Sequence, residues 1–343
     1  MNKQATGSRK VQMMDIARLA GVSAATVSRS LSNSPLVNEE TRRRIVELAQ
    51  SLNYQINVSA QNLRLGSNRT VGVVIPYDRK TKQHVSDPFF LGMLGSLADA
   101  LTDKGFDMLL FRVDSENLID LSTAHTTGRA GGIIVIGQWG HHDHLNELAM
   151  RKVPIVVWGA QLPRQIYCSV GSDNSAGGKL ATTHLIEQGR KRIVFLGNTT
   201  LPEVELRYKG HVSALKAHGL QQDKQLLVST PFTPEEARAS IIKFLDKGIA
   251  FDAIFAASDL IAMTAMGLLT ERGISVPDQV SIVGYDDIEA ASHCHPPLTT
   301  VKQPLLEAGK CLVECLEFVM HDEMTESRLL PTKLVVRSSS IPT

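Results

Sequence analysis

Met14-Asp15-Ile16-Ala17-Arg18-Leu19-Ala20-Gly21-Val22-Ser23-Ala24-Ala25-Thr26-Val27-Ser28-Arg29-Ser30-Leu31, residues 14–31, reads as helix, turn and helix. Ile16, Leu19 and Ala20 share one face of the first helix at helical spacing. Gly21 permits a sharp turn, because a residue without Cβ reaches left-handed backbone angles at no steric cost. Ser23 is placed to cap the second helix by accepting a bond from an orphaned amide. Val27 and Leu31 then face inward, leaving Ala24, Ala25, Ser28 and Arg29 outward. A helix-turn-helix sets its second helix into the DNA major groove. An ordinary helical hairpin shares this pattern, so the rest of the chain decides between the two.

Charge is distributed in the same sense. Residues 1–69 carry ten Lys/Arg against four acids, a net charge of +6 that leaves −5 for the remainder. A basic head on a mildly acidic body fits a polyanionic partner, although a basic helical face is also simply well solvated. Residues 1–12 read as a loose arm and 13–56 as the helical head. Asn38-Glu39-Glu40-Thr41 opens a third helix, whose Ile45, Val46, Leu48, Ala49 and Leu52 cover the first two, with Tyr54 closing the core. Arg42, Arg43 and Arg44 near its start suit phosphates or solvent equally. Residues 57–69 read as a linker in which Asn57 caps a helix of two turns, too short to be stable alone. Leu63 and Leu65 are apolar there, and a segment of this kind either folds on binding or serves as a simple tether.

From Thr70 onward short β-rich runs alternate with amphipathic helices, which predicts two parallel, doubly wound sheets. Strands are expected at 71–75, 108–111, 132–136, 155–158, 192–196, 226–229, 253–255 and 281–283. Helices are expected at 88–104, 116–126, 142–151, 174–188, 204–218, 234–247 and 259–271. Ligands of such folds sit beyond the carboxyl ends of the strands, here the cleft between two lobes.

Other classes find little support. A chain of 343 residues with 43% apolar and 21% charged residues is long enough for several globular domains and is not a disordered one. No apolar run reaches the ~20 residues of a membrane span, and the polar N-terminus lacks a signal-peptide core, so a cytoplasmic, nucleoid-associated protein without a membrane partner is expected. Cys168, Cys294, Cys311 and Cys315 form no paired framework, and reduced, packing thiols are the default. Gly177-Gly178-Lys179 lies within an expected helix and lacks phosphate-loop spacing, and no Gly-x-Ser-x-Gly elbow occurs. His141-His142-Asp143-His144 and His293-Cys294-His295, on expected loops, can in principle bind a metal, but solvated histidines are the commoner case. Neither an enzyme nor a cofactor is expected.

The chain resembles the LacI family of bacterial transcription regulators over essentially its whole length. The resemblance rests on Asp15-Ile16-Ala17, Ala20-Gly21-Val22-Ser23, Thr26-Val27-Ser28-Arg29, Asn33 and Tyr54 in the head. In the body it rests on Pro88-Phe89-Phe90, Val283-Gly284-Tyr285-Asp286-Asp287 and Pro297-Leu298-Thr299-Thr300-Val301. It implies an all-α helix-turn-helix head and an α/β body, 70–343, with lobes resembling those of periplasmic sugar-binding proteins. Lobe one would comprise about 70–170 and 299–330, and lobe two about 171–298 and 331–343, ending in a strand at 334–337. It further implies a homodimer, or a dimer of dimers, on a palindromic double-stranded DNA operator, although 336–343 shows no heptad repeat for a tetramer-forming tail.

By position, the resemblance implies that Ala24, Ala25 and Arg29 read bases, with Ser23, Thr26 and Ser28 suited to phosphates and Asn33 and Ala60 also at the DNA. Arg29 can bind a guanine edge with two parallel bonds, worth about 1–3 kcal/mol of discrimination. Leu63 stands where the family wedges a leucine into a central minor-groove step, by family habit CG. Val11, where a threonine cap is frequent, implies a weaker first cap by about 0.5–2 kcal/mol. For the effector, the resemblance points to Arg207 and Asp286, flanked by Phe89, Trp158, Phe232 and Ser258. Arg207 and Asp286 can instead pair as an interlobe salt bridge, and Gly159, where some members carry an acid, argues against a lactose-like hydroxyl pattern. A sugar or glycoside is favoured over a purine or nucleoside, and a body that has lost its ligand is the third reading.

Overall fold

The computed structural model describes residues 11–32, 34–52, 54, 68–77, 83–138 and 140–341. The chain forms two compact units, Met1–Asn68 and Arg69–Thr343. Asn33, Ala60, Leu63, Leu65 and nearly all of the expected linker helix lie outside the described residues.

In the first unit α1 (Met13–Ala20), α2 (Ala24–Leu31) and α3 (Glu39–Ser51) surround a core of Ile16, Ala17, Val27, Ile45 and Ala49. Ile16, Val27 and Ile45 are fully buried, each contributing roughly 1.5–3 kcal/mol of transfer free energy. Gly21 sits at φ +65°, ending α1 in the left-handed conformation. Ser23 Oγ accepts from the Thr26 amide at 3.1 Å, capping α2, and Tyr54 packs against the core.

Three expectations change here. Leu19 is exposed rather than inward, because α1 turns Ile16 and Ala17 to the core. Ala24 is half-buried against the core, so it is not a free outward position. The first cap is not lost: Gln12 takes the cap position, its amide donating to Asp15 at 3.0 Å, while Val11 packs on the core. Two of the clustered arginines are engaged with backbone. Arg42 donates to the carbonyls of Ser34 and Val37, and Arg44 to that of Ala20.

The second unit contains two six-stranded sheets. Sheet one contains β1 (Thr70–Tyr77), β2 (Asp107–Asp114), β3 (Gly132–Ile136), β4 (Ile155–Trp158), β5 (Cys168–Ser172) and β11 (Arg328–Leu330), in spatial order β11-β5-β4-β3-β1-β2. Its helices are α4 (Pro88–Asp103), α5 (Leu121–Thr126), α6 (His142–Met150) and α12 (Leu305–Met320). Sheet two contains β6 (Ile193–Leu196), β7 (Leu227–Val228), β8 (Ala253–Ala256), β9 (Ser281–Asp286), β10 (Thr299–Lys302) and β12 (Lys333–Val335), ordered β12-β10-β9-β8-β6-β7. With it go α7 (Asn174–Glu187), α8 (Pro202–Ala217), α9 (Pro234–Leu245), α10 (Asp259–Glu271) and the short α11 (Glu289–His293).

Most strands are parallel and buried on both faces, which is why they read as continuous apolar runs. The edge strand β12 is antiparallel to β10. Periodicity does not mark strands β5 and β10, because Ser169, Ser172, Thr299 and Thr300 interrupt the apolar runs, nor β11, which is only three residues long. The lobe boundaries shift accordingly: Cys168–Ser172 belongs to sheet one and Thr299–Lys302 to sheet two, so the chain crosses after 172 and 302. The final strand comes earlier than 334–337, and the helix expected over 116–126 divides into a 3-10 turn, Ser115–Asp120, and α5. His142–His144 lie on α6 rather than in a loop, with His142 Nδ1 2.9 Å from the Tyr167 hydroxyl.

The Gly177-Gly178 pair finds a packing role. A Cβ on Gly178 would overlap the Arg207 carbonyl, one on Gly210 the Ser175 carbonyl, and one on Gly177 the Tyr285 ring. Backbone contact between α7 and α8 thus requires glycine on both helices. Gly178→Ala is expected to destabilise the second unit by about 1–3 kcal/mol, the usual cost of overpacking, in urea unfolding followed by circular dichroism. A variant as stable as the parent would show that α7 and α8 can separate freely.

Candidate functional site

At the carboxyl ends of both sheets the lobes enclose a cavity of about 730 Å³, counting the part open to solvent. Sheet one's lobe supplies Phe89 from the first turn of α4 and Trp158 from the end of β4. The other lobe supplies Arg207 from α8, Phe232 before α9, Ser258 at the cap of α10 and Asp286 at the end of β9. The six residues singled out for the effector therefore line one cavity. Trp158 is buried among the lobe-one core, with Phe89 stacked obliquely at 6.5 Å between ring centroids. Ser258 Oγ accepts from the Ile261 amide at 3.3 Å, so its role in the helix cap is established by geometry.

Arg207 is 6% exposed and tightly held. Its Nε donates to Asn174 Oδ1 at 2.8 Å and its Nη1 to the Ala257 carbonyl at 2.5 Å, while the guanidinium lies 3.7 Å from the centroid of the Tyr285 ring. A flat cation over an aromatic face is attracted by the ring quadrupole. The proposed interlobe salt bridge does not arise, because Arg207 and Asp286 both belong to the lobe of sheet two.

Asp286 closes β9 at φ +116°, and Asp287 follows at φ +57°. Non-glycine residues in this region cost roughly 1–3 kcal/mol each and require support from their surroundings. That support is visible. Arg337 Nη2 donates to Asp287 at 2.6 Å. Asp259, fully buried, accepts from the Ile288 amide at 2.9 Å and from the Thr300 hydroxyl at 2.5 Å. Gln303 Nε2 donates to Asp286 at 2.6 Å, and the Ser172 hydroxyl bonds to Gln303 Oε1. Burial pushes the Asp286 carboxyl up to about 7, opposed by Arg207 and by the Gln303 bond.

Sequence reasoning missed several lining residues. Asp87 caps α4, accepting from the Phe89 amide at 3.0 Å and from Gln83 Nε2 at 2.8 Å, and burial raises its carboxyl. Glu203, one turn before Arg207, is likewise raised by burial. Gln138 and Gln303 complete the polar lining. Asp87 was legible as a cap before Pro88. Gln138 and Gln303 had no local signal, since they become important through long-range contacts. Gln138 bonds to both the amide and the carbonyl of Ala160, and a Cβ on Gly159 would press on its side chain. Gly159 is therefore a packing requirement.

In the first unit Ser23, Ala25 and Arg29 are exposed along the start and outer face of α2, with Thr26 and Ser28 half-buried beside them. The Ser23 and Thr26 hydroxyls bond to each other at 2.9 Å.

Comparison with known proteins agrees with this arrangement. Residues 12–57 match the family described as bacterial regulatory proteins, lacI family, and residues 182–340 match a periplasmic binding protein-like domain. The transcriptional regulator MalR of Clostridium butyricum is 31% identical over 96% of this chain and 99% of its own. The chain belongs to the LacI family. CelR of Thermobifida fusca is also 31% identical, over 96% of this chain and 98% of its own. Among solved structures, a CelR–cellobiose complex superposes with a TM-score of 0.71 at 30% identity, covering 96% of this chain and 99% of that one. A lac repressor dimer bound to operator and the anti-inducer ONPF gives 0.85 at 25% identity, covering 97% and 100%. This protein is accordingly a DNA-binding transcriptional regulator of the LacI family. Among the described residues no helix is long and apolar enough to cross a membrane.

A carboxyl raised by folding stabilises the native state at low pH and loses that contribution as pH rises through the folded value. Asp286→Asn is therefore expected to raise the melting temperature relative to the parent more at pH 8 than at pH 5, by the equivalent of about 1–2 kcal/mol. Equal shifts at both pH values would show that Asp286 titrates normally.

Proposed function

We propose that this regulator represses a carbohydrate-utilisation operon, binding a palindromic operator as a homodimer and releasing or tightening it when a sugar or glycoside occupies the cavity between its lobes. The observation that carries this reading is the composition of the cavity lining. Among the described residues, Asp87, Glu203, Asp286 and Arg207 line the cavity beside the aromatic faces of Phe89, Trp158 and Phe232. Carboxylates accept from sugar hydroxyls, a guanidinium donates to them, and aromatic rings cover apolar sugar faces.

The ligand acts by its difference in affinity for the two lobe arrangements, and by linkage that difference equals the change in operator affinity. For the dimer, exposed Leu91 on α4 and Leu306 on α12 lie on neighbouring helices and supply an apolar surface of the right kind.

Isothermal calorimetry of Asp286→Ala and Trp158→Ala against mono- and disaccharides should show at least a tenfold loss for the sugar that binds the parent. Binding of a nucleoside but no sugar would replace this reading with the purine-type one. For the head, Arg29→Ala should weaken operator binding by about 1–3 kcal/mol with little change on random DNA. Equal losses on both would make Arg29 a phosphate contact instead of a base reader.

A further inference from the structure

Continuous with the effector cavity, a second hollow lies at the mouth of the cleft between the lobes. Gln83 and Asp87, from the segment before α4, line both spaces, as do Phe232 and Leu260 from the other lobe. These four mark the junction. On its inner side stand Phe89, Trp158, Arg207 and Asp286. On its outer side the polar side chains, among the described residues, are His84 and Ser86 from one lobe and Thr233, Glu235 and Glu236 from the other.

We propose that the outer hollow is a second sugar subsite, so that the effector is a disaccharide or longer oligosaccharide, with one ring in the inner cavity and the next at the mouth. This deepens the carbohydrate reading above and rests on it. The chemistry changes across the junction as such a ligand requires. Inside, Phe89 and Trp158 beside Arg207 and Asp286 suit a ring whose apolar face is covered while its hydroxyls are bonded. Outside, His84, Ser86, Glu235 and Glu236 are exposed. Imidazole, hydroxyl and carboxylate groups in that position exchange hydrogen bonds with a second hydroxyl-bearing ring. An aryl or alkyl aglycone would instead meet exposed carboxylates.

Both banks of the outer hollow are braced within the fold. On one bank Gln83 Nε2 donates to Asp87 at 2.8 Å. Arg112 Nη2 donates to the Gln83 carbonyl at 2.5 Å, and its guanidinium lies 4.9 Å from the centroid of the Tyr77 ring. On the other bank the Thr233 hydroxyl donates to Glu236 at 2.8 Å across the first turn of α9. A carboxylate has about four acceptor sites, so these bonds orient Asp87 and Glu236 without exhausting them. Bracing of this kind lowers the cost of ordering on binding.

The two banks belong to different lobes. A ring that touches both favours one lobe arrangement over another, and that preference is the quantity by which an effector changes operator affinity. A single ring held inside the junction leaves the banks unbridged.

Calorimetry on the full-length protein tests the subsite with three series of sugars. The first is glucose, galactose and mannose; the second is cellobiose, maltose, gentiobiose, lactose, melibiose and mannobiose; the third is the phenyl glycosides of the three monosaccharides. The expected result is a disaccharide that binds roughly tenfold or more tightly than its constituent monosaccharides and their phenyl glycosides. His84→Ala and Glu235→Ala, one exposed position on each bank, should each narrow that gap by roughly threefold or more. A monosaccharide that binds as tightly as every disaccharide containing it would overturn the subsite and leave the carbohydrate reading standing. So would equal losses for mono- and disaccharide in both variants. A phenyl glycoside that outbinds the disaccharides would make the hollow an aglycone site and sink the proposal. Absence of binding throughout the series would remove the carbohydrate reading and the subsite together.

Discussion

The guanidinium of Arg207 is the point on which the ligand-side architecture of the second lobe depends. It reaches Asn174 at the start of α7, the Ala257 carbonyl at the end of β8 and the Tyr285 ring on β9. A buried cation is costly unless its donors are satisfied, and here the satisfying groups come from three separate elements. Those elements must therefore converge before the charge can be buried. The backbone contact that brings α8 to α7 depends on Gly178, opposite the carbonyl of Arg207 itself. Packing and electrostatics at this point are one constraint.

From there the network extends to the crossings between lobes. Asp286 beside the cavity bonds to Gln303, and Gln303 bonds to Ser172. Ser172 ends β5 in one lobe, Gln303 follows β10 in the other, and both sit where the chain passes between sheets. A ligand that engages Asp286 thus competes with, or reinforces, a bond anchored on two crossing segments. The left-handed backbone at Asp286 and Asp287 is held by Asp259, Arg337 and Gln303, so the carboxylate is presented in a fixed direction. Preorganisation of this kind lowers the cost of ordering on binding.

Much of this was legible in the sequence because its signals are local. Apolar runs marked the buried parallel strands, Pro88 marked a helix start, and Gly21 with Ser23 marked the turn and cap of the head. What failed was non-local. Strands β5 and β10 are interrupted by Ser169, Ser172, Thr299 and Thr300, whose hydroxyls are buried but hydrogen-bonded, and periodicity cannot see a partner distant in sequence. Leu19 was misplaced because three helices decide which stripe of α1 is covered, while the sequence of α1 alone offers two. Gln138 and Gln303 followed no pattern at all, since their partners Ala160 and Asp286 lie 22 and 17 residues away.

The same reasoning limits what the basic head can contribute to DNA recognition. Of its arginines, Arg42 is tied to the Ser34 and Val37 carbonyls and Arg44 to that of Ala20, so their donors are partly satisfied within the fold. The net charge of +6 over residues 1–69 therefore overstates the cations free to meet phosphates. On α2, Ala24 is half-buried, Ala25 offers only a methyl group, and Ser23 is engaged in capping, which leaves Arg29 as the exposed charged donor of that helix. On the proposed reading, base edges met by α2 then supply only part of the discrimination, and the spacing of two half-sites and the deformability of the duplex supply the rest.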